Sequence, residues 1–422
     1  MNRSDPTPTA CSNAYWRGVA AISAVALCWR SFWLLRPDWE IGDASEYLKL
    51  GQSIAYAGIY SYDGTHPSSY RPPLYPAFIA AADLFTGHPV ATVLIAQVIF
   101  GTLTVALVCL IAAHAYDQPT AILAGAMLAI APMTSRYAAV LLTETLFTFL
   151  IIASLALWSR QHRLIAGVLL GLATLTRAST LPFVLIIGLI GLARINRQSH
   201  RQVLGAFAGA LLILAPWAAR NGGSVGRWTI ADAGFGVNLL YGTVELRSGS
   251  NRWTQLRALS AEAGTTGGDQ PTIDGENRAR HIALARIRAH PVSWLRARIR
   301  QWPWLFIDSG DYLPIDANRV TFRQALAVGN GSTVFIKLIF PIANVVVCSL
   351  AVVGLWLSRY RFVELSPLWV FPAFLAVAHL PMYVEPRYGL PLVPFTLILA
   401  AGAITHVVST ARHRALCGMG SR

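Results

Sequence analysis

The sequence predicts an all-α polytopic membrane protein with about ten transmembrane helices and further juxtamembrane helices. Three observations predict it. The chain of 422 residues is 55% hydrophobic and only 13% charged, with a mean hydropathy of +0.49, whereas a soluble domain carries about 25% charged residues. The apolar residues gather in runs close to the roughly 20 residues that a helix needs to cross the hydrocarbon. The basic residues are nearly all arginine, with Lys49 and Lys337 the only lysines, and most fall in short loops between apolar runs. That placement gives the net charge of +14 a topological meaning and argues against nucleic acid as a partner.

Taken in order, spans are expected near 17–36, 90–114, 119–136, 141–159, 164–178, 180–195, 203–219, 333–358, 365–382 and 388–409. The first run lacks a small-x-small cleavage site and is read as a retained span. Pro73–Phe85 is short for a crossing and is read as a helix lying at the membrane surface. With that choice Arg160 and Arg163, Arg194, Arg197 and Arg201, Arg359 and Arg361, and Arg412 and Arg414 share one face with the N-terminus. The positive-inside rule makes that face cytoplasmic.

The expected organisation is therefore a cytoplasmic tail at 1–16 and a transmembrane core at 17–219 that includes a first outer loop at 37–89. A large outer segment follows at 220–332, then C-terminal spans at 333–409 and a cytoplasmic tail at 410–422. Within the outer segment, Ile282, Leu284, Ile287, Trp294, Leu295, Ile299 and Trp302 form a ragged apolar face among arginines, with Pro291 expected to kink or restart the helix. Such a basic, tryptophan-bearing helix suits a surface of anionic headgroups. This topology makes membrane lipids expected partners and places both polar segments on the outer side of the membrane.

That outer face collects the residues able to do chemistry. Asp43 lies just past the first span, where a folded-back loop would partly desolvate it and fit it to act as a base. Tyr47 follows one helical turn later, and Glu46 competes for the same role. Arg71 is stiffened by Pro72, Pro73 and Pro76, next to Tyr70; its permanently charged fork matches a phosphate. Glu144 interrupts two apolar runs and is expensive there unless paired. Arg177, Arg220 and the Arg387-Tyr388 pair stand at outer ends of spans, so that four arginines around one rim would form a basic pocket for a phosphate or diphosphate headgroup.

Other chemistries lack their motifs. The chain has no P-loop, H-E-x-x-H or C-x-x-C pattern. The five cysteines, Cys11, Cys28, Cys109, Cys348 and Cys417, suggest neither a disulfide framework nor a zinc site, and the histidines have no ligand spacing. No metal site is assigned, no cofactor is named, and a requirement for a divalent ion is left open. A transporter or flippase of lipid-linked sugars is the rival reading, but no paired halves with broken mid-membrane helices are evident.

An acid after the first span, followed by "RPPLYPAFIA", "LLTETLF", "LATLTRAS", "LAPWAARN", "AHPVSWL" and "EPRYGLPLVP", resembles in its order the bacterial GT-C class of membrane glycosyltransferases. That group includes the protein mannosyltransferases and the aminoarabinose transferase of lipid A. The resemblance extends over about residues 37–405 and implies a GT-C-type bundle. It also implies inverting transfer of a sugar from a polyprenyl-phosphate donor to an envelope lipid, glycan or protein. By resemblance Asp43 is the catalytic base, Arg71 and Tyr388 face the donor phosphate, and Glu144 shapes the site. Two departures bear on acceptor and sugar: the extra soluble domains of some relatives are missing, and Glu46-Tyr47 stands where some relatives have arginine and tyrosine.

Overall fold

The structure, a computed structural model, describes residues 12–35, 39–193, 197–231, 234–245, 250–264, 273–307 and 322–419. Arg194, residues 1–11 of the N-terminal tail and residues 308–321 of the outer segment lie outside the described residues. Among the described residues every regular element is helical.

The first half contains α1 (Asn13–Leu34), α2 (Ala44–Gln52), α3 (Leu74–Thr86), α4 (Pro89–Ala115), α5 (Gln118–Ile130), α6 (Pro132–Arg136), α7 (Glu144–Ser159), α8 (Arg163–Thr176), α9 (Leu181–Ala193) and α10 (Arg197–Val225). The segment after α10 contributes α11 (Phe235–Tyr241), α12 (Ser250–Glu262), α13 (Ile273–Ala289) and α14 (Pro291–Gln301). The chain closes with α15 (Phe322–Ala327), α16 (Gly331–Leu357), α17 (Ser366–Ala378) and α18 (Val393–Met419), the last preceded by a 3-10 turn at Pro386–Leu392.

Among the described residues four helices are long and apolar enough to cross a membrane: Pro89–Ala115, His200–Val225, Gly331–Leu357 and Pro386–His413. The pair α5–α6, bent by 59° at its break, makes five if counted as one span. The remaining expected crossings are helices of other kinds. α1 has the length, but Arg17, Arg30 and three tryptophans dilute its hydropathy. α7, α8, α9 and α17 are apolar but only 13 to 16 residues long, because their predicted outer ends are spent on turns that carry polar side chains. The short helix expected near 73–85 is present as α3, and Pro291 does restart the outer helix as α14.

Without a strong hydrophobic drive between helices in lipid, close packing rests on small residues. α8 and α10 meet this way: a Cβ on Gly167 would stand 1.9 Å from the Ala206 carbonyl oxygen, and one on Gly171 would stand 2.9 Å from that of Ala210. The main core joins α1, α4, α5, α7, α8 and α18. α11, α12 and α13 hold a second, separate cluster around Leu239, Leu240, Leu259, Ala263, Ala279 and Ala283.

Arg30 sits fully buried in α1, a costly place for a charge. Pro132 has no N–H to offer the end of α5. The Arg30 guanidinium takes over, donating to the carbonyls of Ala129 at 3.2 Å and Leu128 at 3.4 Å. This fixes the bend from which the chain runs, through Tyr137 and Leu141, to Glu144 at the start of α7.

Candidate active site

The loop between α1 and α3, which contains α2, supplies the centre of the site. Trp39 accepts a backbone hydrogen bond from Leu141 (3.2 Å), which ties the loop to the segment leading into α7. Gly42 adopts φ +58, a conformation that favours glycine, and a Cβ there would stand 2.9 Å from Arg387 Nη1. The chain thus turns tightly against Arg387 and presents Asp43 at the start of α2. Tyr47, one turn on, is buried edge-to-face against Tyr75, whose hydroxyl donates to Gln97 Oε1 at 2.9 Å. Gln97 in turn donates to the Val140 carbonyl (2.7 Å). α2 is therefore locked to α3, α4 and the approach to α7.

Two guanidinium groups converge on Asp43. Arg71 Nη2 is 3.1 Å from one carboxylate oxygen and Arg387 Nη2 is 3.5 Å from the other. Arg71 also bonds Glu46 through Nε (3.1 Å) and Nη2 (2.9 Å), and Arg387 Nε meets Glu385 at 2.5 Å. Arg71 lies over the rings of Tyr47 and Tyr70, at 5.6 and 5.4 Å. Nearby, Arg177 Nη1 pairs with the buried Glu144 at 2.9 Å. The Tyr388 ring is sandwiched near both other cations, 5.4 Å from Arg177 Cζ and 5.3 Å from Arg387 Cζ.

Asp43, Glu46, Tyr47, Tyr70, Arg71, Glu144, Arg177, Arg387 and Tyr388 thus fall in one connected group. Arg220 stands apart from it. Its guanidinium donates to the Ser68 carbonyl (2.7 Å) and the Tyr60 carbonyl (3.4 Å), and it stacks on Trp217 at 4.9 Å. In the structure it pins the first outer loop to α10.

Burial pushes the Asp43 carboxyl up, but Arg71, Arg387 and Arg177 outweigh this and hold it down to about 2. The carboxylate is charged at neutral pH, and its side chain remains 30% exposed. Asp43 can accept a proton or an approaching hydroxyl group, and the two guanidiniums can hold an anion beside it. The partly exposed carboxylates of Asp43 and Glu46 are both engaged by Arg71. Among the described residues no group of three or more His, Cys, Asp or Glu side chains could hold a metal ion.

Sequence reasoning missed three members of this arrangement. Glu385 balances Arg387 and accepts from the Tyr383 hydroxyl at 3.1 Å; its place two residues before an arginine was the available signal. Arg298, buried in α14, donates to the Met382 carbonyl (2.7 Å) and supports the turn that carries Arg387. Glu276 of α13 accepts from the Tyr70 hydroxyl at 3.3 Å. Nothing in the local sequence distinguishes these last two from ordinary loop charges.

Residues 70–219 match the model of the family described as dolichyl-phosphate-mannose-protein mannosyltransferase. No curated protein matches the sequence. Among solved structures, the chain is similar to the oligosaccharyltransferase AglB from Archaeoglobus fulgidus in complex with an inhibitory peptide and a dolichol-phosphate. The TM-score is 0.53 at 13% identity, covering 96% of this chain and 51% of that one. The same protein tethered to an acceptor peptide gives 0.53 at 15% identity with the same coverage. The chain spans about half the length of that enzyme, and at this identity the likeness shows a shared fold. ArnT from Cupriavidus metallidurans bound to undecaprenyl phosphate aligns at a TM-score of only 0.42, with 15% identity over 95% of this chain and 80% of that one. The family match and the shared fold bear out the resemblance to the GT-C class drawn from the sequence motifs.

Proposed function

We propose that this protein is an inverting glycosyltransferase that moves a sugar from a polyprenyl-phosphate donor to an envelope lipid or glycan at the outer face of a bacterial inner membrane. The observation that carries this reading is the Asp43 carboxylate flanked by Arg71 at 3.1 Å and Arg387 at 3.5 Å, with part of its surface open. An acceptor hydroxyl attacks the anomeric carbon from the face opposite the phosphate. The new carbon–oxygen bond forms as the bond to the phosphate oxygen breaks, the hydroxyl proton passes to Asp43, and the electron pair leaves on the polyprenyl phosphate. A phosphate is a good leaving group once its charge is met, so cations matter more than a general acid.

The low basicity of Asp43 fits this order of events. Without donor, both arginines spend their charge on the carboxylate. A donor phosphate that engages them compensates that charge and raises the Asp43 pKa, so the base strengthens when substrate arrives. Tyr388, between Arg177 and Arg387, faces the same phosphate. Arg220 serves this reading by holding the loop that carries Arg71.

In the same reading about ten helical segments cross the bilayer, the short helices α7, α8, α9 and α17 doing so together with the turns that extend them outward. The segments 37–89 and 220–332 then lie outside with the active site. Support comes from the gathering of Asp43, Arg71, Arg177 and Arg387 at one end of the bundle.

Mass spectrometry of the cell envelope, with and without the protein, tests the function. Loss of a sugar from lipid or glycan fractions is expected. Loss from a protein fraction instead would redirect the acceptor, and an unchanged envelope would overturn the assignment.

A further inference from the structure

Glu276 is an acid in the first turn of α13, far from the site in sequence and nearly fully buried. Its Oε1 accepts from the Gly234 N–H at 2.7 Å and from the Tyr70 hydroxyl at 3.3 Å. Its Oε2 accepts from the N–H groups of Gly236 (2.8 Å) and Val237 (3.2 Å). The fit is close: a Cβ on Gly236 would stand 2.2 Å from the Glu276 carbonyl oxygen and 2.8 Å from Oε2. Three backbone donors at the start of α11 thus fix the carboxylate. From the first loop the Tyr70 side chain reaches it, and the Tyr70 ring lies 5.4 Å from Arg71 Cζ.

We propose that Glu276 is a positioning residue that acts through Tyr70 to set the Arg71 guanidinium for a phosphate, coupling the α11–α13 unit to the Asp43–Arg71 pair. This rests on the reading of Arg71 as a phosphate ligand. The α11–α13 unit has its own core, so its orientation over the first loop depends on a few polar ties. Among these, the Glu276–Tyr70 bond ends on a residue stacked on the anion-binding cation. Neither neighbour of Arg71 is free to replace it, since the Tyr62 hydroxyl is turned to Glu46 at 3.4 Å and Tyr47 is packed on Tyr75.

A double-mutant cycle on the full chain in nanodiscs, with undecaprenyl phosphate as the binding probe, tests the coupling. Tyr70→Phe keeps the ring on Arg71 and deletes only the hydroxyl. It is expected to raise the Kd roughly three- to tenfold, the range of one net hydrogen bond. Glu276→Ala should weaken binding by a similar factor, and the double variant should bind no worse than either single one. Purely structural damage from Glu276→Ala would instead add to the Tyr70→Phe loss and would overturn the proposal. An unchanged Kd in Tyr70→Phe would overturn it too, whether or not Glu276→Ala folds. Arg71→Ala separates the two levels: if it weakens binding while Tyr70→Phe does not, only this inference fails; if it leaves the Kd unchanged, the phosphate reading fails and this inference with it.

Discussion

Asp43 and Arg387 are 344 positions apart in the chain and 3.5 Å apart in space. The turn at Gly42 and the 3-10 turn at Pro386–Leu392 bring them together, so that segments from the two halves of the chain close on one carboxylate. Arg71 meets the other oxygen of that carboxylate. The predictions below probe this three-residue unit and the elements that hold it.

Asp43→Asn removes the base while keeping the side-chain volume. Turnover should fall by about 10²- to 10⁴-fold, the range typical of a general base, with the thermal transition nearly unchanged. Sugar transfer at the normal rate by purified Asp43→Asn would end its assignment as the base.

Arg71→Ala should raise the donor KM by about tenfold or more, as expected for the loss of a charge-assisted contact worth roughly 1.5–3 kcal/mol. The acceptor KM should stay within about twofold of the original. A rise confined to the acceptor would place the phosphate elsewhere.

The acid limb of the pH profile should depend on which complex is observed. Asp43 is depressed to about 2 by Arg71, Arg387 and Arg177 against the effect of burial. It is therefore deprotonated throughout the neutral range in the free protein, and kcat/KM should show no Asp43 limb down to about pH 4. Once the donor phosphate compensates the arginines, the limb in kcat should lie at higher pH. A depressed acid stabilises the fold above its unfolded value of about 3.9, and that contribution is lost as pH falls through the folded value. Identical limbs in kcat and kcat/KM would contradict donor-induced strengthening of the base.

Gly42→Ala introduces a Cβ 2.9 Å from Arg387 Nη1 at a backbone angle of φ +58. The left-handed strain costs about 1–2 kcal/mol, and relief of the contact moves the guanidinium off Asp43. The expected signature is a modest loss of thermal stability with a disproportionate fall in kcat. Kinetics equal to the parent protein would show that the Asp43–Arg387 spacing is unimportant.

Arg30→Met should destabilise the bundle by about 1–3 kcal/mol, because the carbonyls of Leu128 and Ala129 lose the guanidinium, leaving Leu128 the Ala131 N–H at 3.4 Å. Thermal unfolding in detergent measures this. No change in the transition would mean that the α5–α6 bend needs no cap.

The all-helical fold class was legible in the sequence, since apolar runs are a local property and a helix satisfies its backbone without distant partners. So was the convergence of Asp43, Arg71, Glu144, Arg177, Arg387 and Tyr388, because loop arginines set the topology and topology sorts the polar ends of helices. The sequence did not reveal which charges pair. Arg220, placed by its sequence context on the same rim, spends its donors on the carbonyls of Ser68 and Tyr60, whereas Glu276 and Arg298 give no local hint of their places. Tertiary packing alone decided those partners, because a buried charge must find its counter-charge or carbonyl within about 3 Å, and that distance is fixed by close-packed helices far apart in the chain.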